Sequence, residues 1–473
     1  MEQPKVYNKE EELIKWLEYD LKEQRKEIAK DRGISLNDVK EEELVLHIGN
    51  KNFKSIEKIE INFDFDFSIL IKEFCKDDEN VGFKINCGYL IFNKQIFFHD
   101  DINFNNILDF SASIFNNKFC IENTTFCEEV NFNSAQFNAI VDFEDVAFDK
   151  EVNFSNAIFN DEVIFEEVYF DGELYFCKTI FNKKTTFLSG SFNSVEIEEA
   201  LFYDIIEFIN VSFNNDVYCK KGKIYNYISI DFPRINNSNI EFDNIVFKDI
   251  ISGLYIKNNT GINKISIINS VINGRIDIQN VNVNIADFRG SVINGGAINP
   301  VNFKVKNFAN RESALFLKNE AYARNNIIDA LEHKAKEIEL HKKELLKNKK
   351  DYKKWGDIFS IYLSSLYSDN GLNWIKSIFM TILITFIFFN IFYIPDLSQT
   401  NIRPCYYKYY FSSLIKYFIP TDYEQIKCYV DTSVRVNILI KIFGVIIYFA
   451  GKIMFWYGSV QTVQSFRKFS KKE

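Results

Sequence analysis

The sequence predicts a mainly β protein, a parallel β-solenoid, followed by an α-helical neck and two membrane-spanning helices. Three observations lead there. Phe132, Phe137, Phe143, Phe148, Phe154, Phe159, Phe165, Phe170, Phe176, Phe181, Phe187 and Phe192 follow one another at gaps that alternate five and six. The residue two places before each is mostly small or aliphatic, and the last third of the chain holds two long apolar stretches. On an α-helix, steps of five and six residues rotate a side chain by about 140° and 240°, which scatters the rings around the cylinder. On one continuous strand, each odd step throws the next ring to the opposite face. What remains is a chain that turns a corner about every five residues, with one inward ring per side.

The slot two places earlier shares a face with each ring in an extended segment. Val130, Ala135, Val141, Val146, Val152, Ala157, Val163, Val168, Leu174, Thr179, Thr185 and Gly190 fill it. A large ring beside a smaller group suits a narrow stacked interior, and the intervening Asn, Asp, Glu, Ser and Lys suit turns and water. With these features the chain resembles the pentapeptide-repeat proteins, and Ala286–Asp287–Phe288–Arg289–Gly290 is the best five-residue match to their repeat. The resemblance implies a right-handed quadrilateral parallel β-helix. The additional residue in every second unit implies coils of about 22 residues instead of 20.

The 473 residues carry a net charge of −9, unevenly spread. Residues 101–213 hold 21 acidic and 5 basic side chains, whereas residues 310–473 hold 15 and 24. The middle is an acidic rod and the end is basic. Eight cysteines show no C-x-x-C spacing and read as reduced thiols, apart from Cys405 and Cys428. The first 30 residues are charged and carry no apolar secretory segment.

Taken in order, residues 1–100 form an N-terminal helix and capping subdomain. Leu13, Trp16, Leu17 and Leu21 make the apolar stripe of that helix, and residues 52–101 are either a small subdomain or irregular first coils. Residues 101–309 form the solenoid, roughly nine coils and about 45 Å long between 104 and 305. One slip falls at Ile197. Lys220–Asn239 breaks the period and is expected to loop out or bend a coil. The interior then changes from phenylalanine to isoleucine and valine. Residues 310–370 form a helical neck, with Ser313 as a capping residue. The neck ends in a basic cluster that includes Lys347, Lys349, Lys350, Lys353 and Lys354, followed by an apolar face of Trp355, Ile358, Phe359, Tyr362 and Leu366. That order reads as a helix on an anionic lipid surface. Residues 371–473 form the membrane hairpin: Ser377–Pro395 is uncharged and apolar, and Asn437–Tyr457 is apolar but carries Lys441 and Lys452, both expected to snorkel. The basic flanks place both termini in the cytoplasm of a bacterial inner membrane. The loop with Cys405 and Cys428 then faces the periplasm, where the two thiols either pair or stay free.

No nucleophile elbow, P-loop, H-E-x-x-H or kinase signature is present, and no enzyme, cofactor or metal centre is expected. His333, Glu337 and His341 share one helix face at metal-ligand spacing, although a solvated helix face fits them as well. Asn310–Arg311–Glu312–Ser313 with Leu317–Lys318, Ser368–Asp369–Asn370–Gly371–Leu372 and Gln461–Thr462–Val463–Gln464–Ser465–Phe466–Arg467–Lys468–Phe469 are similar to the tail of bacterial membrane-bound pentapeptide-repeat proteins. In some relatives that tail is similar to a potassium-channel pore; here Ile419–Pro420–Thr421–Asp422–Tyr423 stands where the filter would be. The leading expectation is a membrane-anchored protein-interaction scaffold with an unknown protein partner and no direct nucleic-acid contact. A homo-oligomeric pore and an acidic DNA mimic that binds a type II topoisomerase are the alternatives.

Overall fold

The computed structural model describes residues 5–40, 43–49, 58–74, 84–98, 102–231, 238–347, 354–397, 403–419, 421, 423, 425–427 and 438–466. The chain divides into two compact units, Met1–Ala309 and Asn310–Glu473.

The first unit is a parallel β-solenoid of about 10 turns. Among the described residues its strands stack into a 12-stranded and a 22-stranded sheet. Through the regular run each residue lies over the one 22 positions earlier: Val141 pairs with Phe119, Val163 with Val141 and Thr185 with Val163. Four inward columns result. In one of them Phe132 stacks on Phe110, Phe154 on Phe132 and Phe176 on Phe154. A second runs from Phe92 through Phe115, Phe137, Phe159 and Phe181 to Phe202, with centroids 4.6–5.5 Å apart and planes within 12°. Phe143, Phe165, Phe187 and Phe208 make the third. Phe126, Phe148, Phe170, Phe192 and Phe213 make the fourth. Within a coil the rings meet edge to face, as at Phe165 and Phe170, 6.0 Å apart and inclined by 65°. Every one of the twelve regular phenylalanines is buried.

The corners explain the eleven-residue unit. Ala112, Asn123, Ser134, Asp145, Asn156, Glu167, Lys178 and Ser189 all have positive φ, between 48° and 61°. Each lies in a five-residue step. After Phe132 and Phe154 the turn is closed by a hydrogen bond from the Ala135 or Ala157 amide, 3.0 Å in both cases. The six-residue steps turn without a left-handed residue. The two corner types alternate, and the gaps alternate with them.

Two departures in the slot beside the rings have local causes. Thr179 donates its hydroxyl to the Phe154 carbonyl at 2.9 Å. At Gly190 a Cβ would collide with the Val168 carbonyl. The repeat shortens to 21 residues at this level, where Thr185 pairs with Ile206, after a register shift between Phe170 and Glu173. Ile197 then takes the ring's place in the first column and is followed by Cys219 and Phe242. The missing ring leaves an apolar cavity of about 20 Å³ lined by Phe176, Phe181, Phe202, Phe208 and others.

Parallel pairing reaches back before residue 101: Ile59–Ile61 and Leu90–Phe92 belong to the same stack as Ile114–Phe115, as does Val6–Tyr7 at its edge. Residues 58–74 and 84–98 therefore belong to irregular first coils. Helix α1 (Glu10–Arg32) lies against the strand Val45–His47 with Leu13, Trp16 and Leu17 buried and Leu21 half-buried. Gln24 acts as a surrogate strand there, its side-chain amide accepting from the Val45 N–H at 3.0 Å and donating to the Val45 carbonyl at 2.8 Å. Asp20 holds the His47 ring at 2.9 Å beside it. A short helix α2 (Phe67–Phe74) completes this end.

The expected break at Lys220–Asn239 is narrower than the sequence implies. Val217–Lys220, Lys223–Ile224 and Tyr227–Asp231 stay paired to the preceding coil. Residues 232–237 lie outside the described residues.

The second unit is helical: α3 (Arg311–Ala323), α4 (Ile327–Lys347), α5 (Trp355–Ser368), α6 (Trp374–Leu397), α7 (Arg403–Tyr417) and α8 (Ile438–Phe466). The N-cap of α3 is Asn310, not Ser313: its Oδ1 accepts from the Ser313 amide and hydroxyl, both at 2.9 Å. Asparagine is the better cap here because the turn begins three residues earlier than the apolar stripe shows. Among the described residues two helices, over Trp374–Tyr393 and Ile442–Phe466, are long and apolar enough to cross a membrane.

Phe159→Asp would bury an unpaired carboxylate between Phe137 and Phe181, and should cost the solenoid more than about 4 kcal/mol, read as loss of the cooperative melt of the full chain. Ile197→Phe should act in the opposite direction. Filling some 20 Å³ at about 24 cal/mol per Å³ predicts a gain of about 0.5 kcal/mol, seen as a small rise in melting temperature. A fall of equal size would show that the column has no room for the ring.

Candidate functional site

The outer surface of the solenoid repeats as regularly as its core. Glu122, Glu144 and Glu166 are Cα partners on successive coils, so this acidic row repeats along the backbone at the inter-strand spacing of about 4.8 Å. Glu129, Glu151 and Glu173 form a second acidic row. Burial, then the neighbouring Glu129 and Glu173 charges, raise the Glu151 carboxyl above its ordinary range. Glu144, Asp145, Glu166 and Glu167 are all exposed. Cations answer only some of this charge, as at Lys118–Asp142 (2.8 Å) and Lys184–Glu207 (2.9 Å). The register shift also opens a surface notch of about 260 Å³ lined by Glu173, Tyr175, Ser194, Glu196, Tyr218 and Lys220.

One corner carries an amide ladder that sequence reasoning missed. Asn182, Asn160, Asn138, Asn116 and Asn93 each donate to the asparagine of the preceding coil, ending at Asn62, at 2.7–2.8 Å. The signal was available: each follows a phenylalanine of the second column, and the regular members recur every 22 residues. Among the described residues Cys87, Cys120, Cys127, Cys177 and Cys219 are free. Burial pushes the Cys120 and Cys219 thiols up to about 12, which leaves them protonated and unreactive.

In the helical unit, the residues at metal-ligand spacing do not converge on one point. Glu337 turns toward α3, where Lys318 donates to it at 2.7 Å and Arg311 at 3.3 Å. Burial opposes its ionisation, but these two cations outweigh it and hold the carboxyl below its usual range. Arg311 and Lys318 belong to the first tail motif. His341 instead lies 3.7 Å from Glu344.

The other two tail motifs meet each other. Ser368 donates to the Gln461 side chain at 2.7 Å, and Ser377 and Thr462 hydroxyls lie 3.0 Å apart. Tyr367 donates to the Met454 carbonyl at 3.2 Å. Gly458 makes the approach feasible, since a Cβ there would strike Thr381 and Tyr367. A polar seam therefore joins α5, α6 and α8 at the foot of the apolar helices. Small residues and side-chain hydroxyls are what hold helices together where lipid offers no hydrophobic drive.

The apolar face of α5 is present with one correction. Trp355, Phe359, Tyr362 and Leu366 are exposed, by 46–63%, but Ile358 is buried. The four exposed residues follow a true helical stripe, and Ile358 sits off it, on the side that packs inward. Lys342 lies 3.5 Å from the centre of the Tyr362 ring. Lys347 is exposed on α4; Lys354 occupies the N-cap position of α5 without a side-chain capping bond; Lys349, Lys350 and Lys353 lie outside the described residues. Cys405 falls in α7, but its side chain and all of Cys428 lie outside the described residues.

Lys452 does not snorkel. It stands at the centre of α8, is 4% exposed, and donates to the Tyr417 and Ile419 carbonyls at 2.7 and 2.8 Å. Between the two apolar helices lies α7, and Tyr417 at its end packs with Phe389, Phe392 and Tyr448.

Burial lowers the His333 imidazole to about 4. Its neutral form is favoured in the folded chain, so stability is complete above the unfolded value near 6.5 and falls as pH drops from there toward 4. His333→Gln should flatten that part of the pH–melting curve; an unchanged slope would show that His333 is solvated. Comparison of the chain with protein-family models, curated proteins and solved structures finds no match.

Proposed function

We propose that this is a bacterial pentapeptide-repeat protein of the inner membrane, a non-enzymatic scaffold whose solenoid captures a protein partner. In this reading the solenoid is a right-handed quadrilateral β-helix in the cytoplasm, and α6 and α8 cross the bilayer with both termini on the cytoplasmic side. The observation that carries the reading is the pairing of a stacked acidic surface, Glu122–Glu144–Glu166, with two apolar helices in one chain. A rigid array of like charges at fixed spacing recognises a basic surface and little else. The exposed stripe of α5, with Lys342 and Lys347 beside it, supports an interfacial helix on anionic lipid.

The test is a pulldown of the full chain from solubilised membranes, read by mass spectrometry, alongside the variant with Glu144, Asp145, Glu166 and Glu167 changed to lysine. The reading predicts a basic protein captured by the wild type and lost from the variant. An identical set from both would overturn it. Carbonate-washed membranes must retain the chain; its release into the supernatant would remove the anchor.

A further inference from the structure

Helix α7 ends in a place where a helix should not end. Tyr417 is fully buried, its ring 5.4 Å from Phe389 and 5.3 Å from Tyr448. Phe389 and Tyr448 lie within the two stretches apolar enough to span a bilayer. The last carbonyls of any helix lack partners inside it. In hydrocarbon no water supplies them, and non-helical backbone persists at that depth only where protein satisfies it.

Lys452 supplies them. Besides the Tyr417 and Ile419 carbonyls, its Nζ faces the rings of Tyr417 at 4.8 Å and Tyr448 at 5.4 Å. Two carbonyl oxygens, two π faces and the negative end of the α7 dipole all surround one ammonium. The approach is built for this. Next to Lys452 stands Gly451, where a Cβ would collide with the Tyr417 hydroxyl and with Phe388. That hydroxyl donates to the Tyr448 carbonyl at 3.2 Å, and Tyr410, about two turns earlier on the same face of α7, donates to Asn390 at 2.8 Å. A buried charge inside an apolar helix is costly and is retained where it has a task.

We propose that the end of α7 is a built cation site which the chain fills with its own Lys452 ammonium. The tethered cation holds α7 as a re-entrant helix and shuts the site to free cations. The site would take a primary alkylammonium when the lysine is cut back. This rests on α6 and α8 spanning a membrane, but its test does not share the carbonate-wash readout.

The experiment is a thermal melt of the full chain in detergent micelles. Lys452→Ala should melt at least about 5 °C below the wild type, because the carbonyls lose their donor. Propylammonium chloride replaces the atoms removed and should restore at least half of that loss, whereas choline chloride, which has no N–H, should not. The wild type should respond to neither salt. Lys452→Ala that gains no more from propylammonium than from choline overturns the proposal. So does a wild type stabilised by propylammonium, or Lys452→Met melting with the wild type. If Lys452→Ala aggregates, purification in propylammonium must recover the folded chain, and equal aggregation in both salts overturns the proposal as well.

Discussion

The spacing of parallel strands, about 4.8 Å, governs the whole first unit. Aromatic rings prefer an offset stack to a face-to-face sandwich, and a coil rise longer than ring thickness imposes that offset. The observed centroids, 4.6 Å for Phe165–Phe187 and 4.8 Å for Phe137–Phe159, follow the backbone spacing with planes nearly parallel. Each ring is buried by those above and below, at roughly 1.5–3 kcal/mol per side chain. A coil alone would expose its rings at both ends, so stacking and coil formation are one event. The same spacing sets the outside: asparagine amides meet at 2.8 Å between Asn116 and Asn138 because a ladder of identical side chains fits that rise. It also forces Glu144 over Glu166, which a compact globular fold would avoid.

Where the ring is absent the spacing still rules. Ile197 leaves a void instead of drawing the walls together, because neighbouring columns keep their stacks: Phe181 on Phe202 and Phe187 on Phe208 hold the coil open. The end is closed differently. Gln24 and Trp16 on α1 bond the backbone of the strand at Val45–His47, which covers that edge.

The core was legible in the sequence because the phenylalanines repeat in kind as well as in position. The corners were not. Ala112, Ser134, Glu167 and Lys178 share a left-handed backbone but no chemistry, and none is the glycine that usually marks it. What fixes φ there is closure of the coil, which sequence spacing reports only indirectly as a gap of five. The first coils were obscured for the opposite reason, since Ile59, Leu90 and Phe92 keep the inward role while the period drifts. In the tail, apolar length announced the two helices, whereas Lys452 read as a snorkelling end because its partners lie at and just past the end of α7, more than thirty residues back. The meeting of Ser368 with Gln461 was equally invisible. Contacts between distant segments leave no period.

The central claim is the 22-residue coil, and disulfide trapping tests it most directly. In a full chain whose native cysteines have been replaced, cysteines at Glu144 and Glu166 occupy Cα partners on adjacent coils. Glu144 and Ser155 are separated by half a coil. Oxidation should link the first pair rapidly and leave the second unlinked. Rapid linking of the 144–155 pair, or none at 144–166, would contradict the fold.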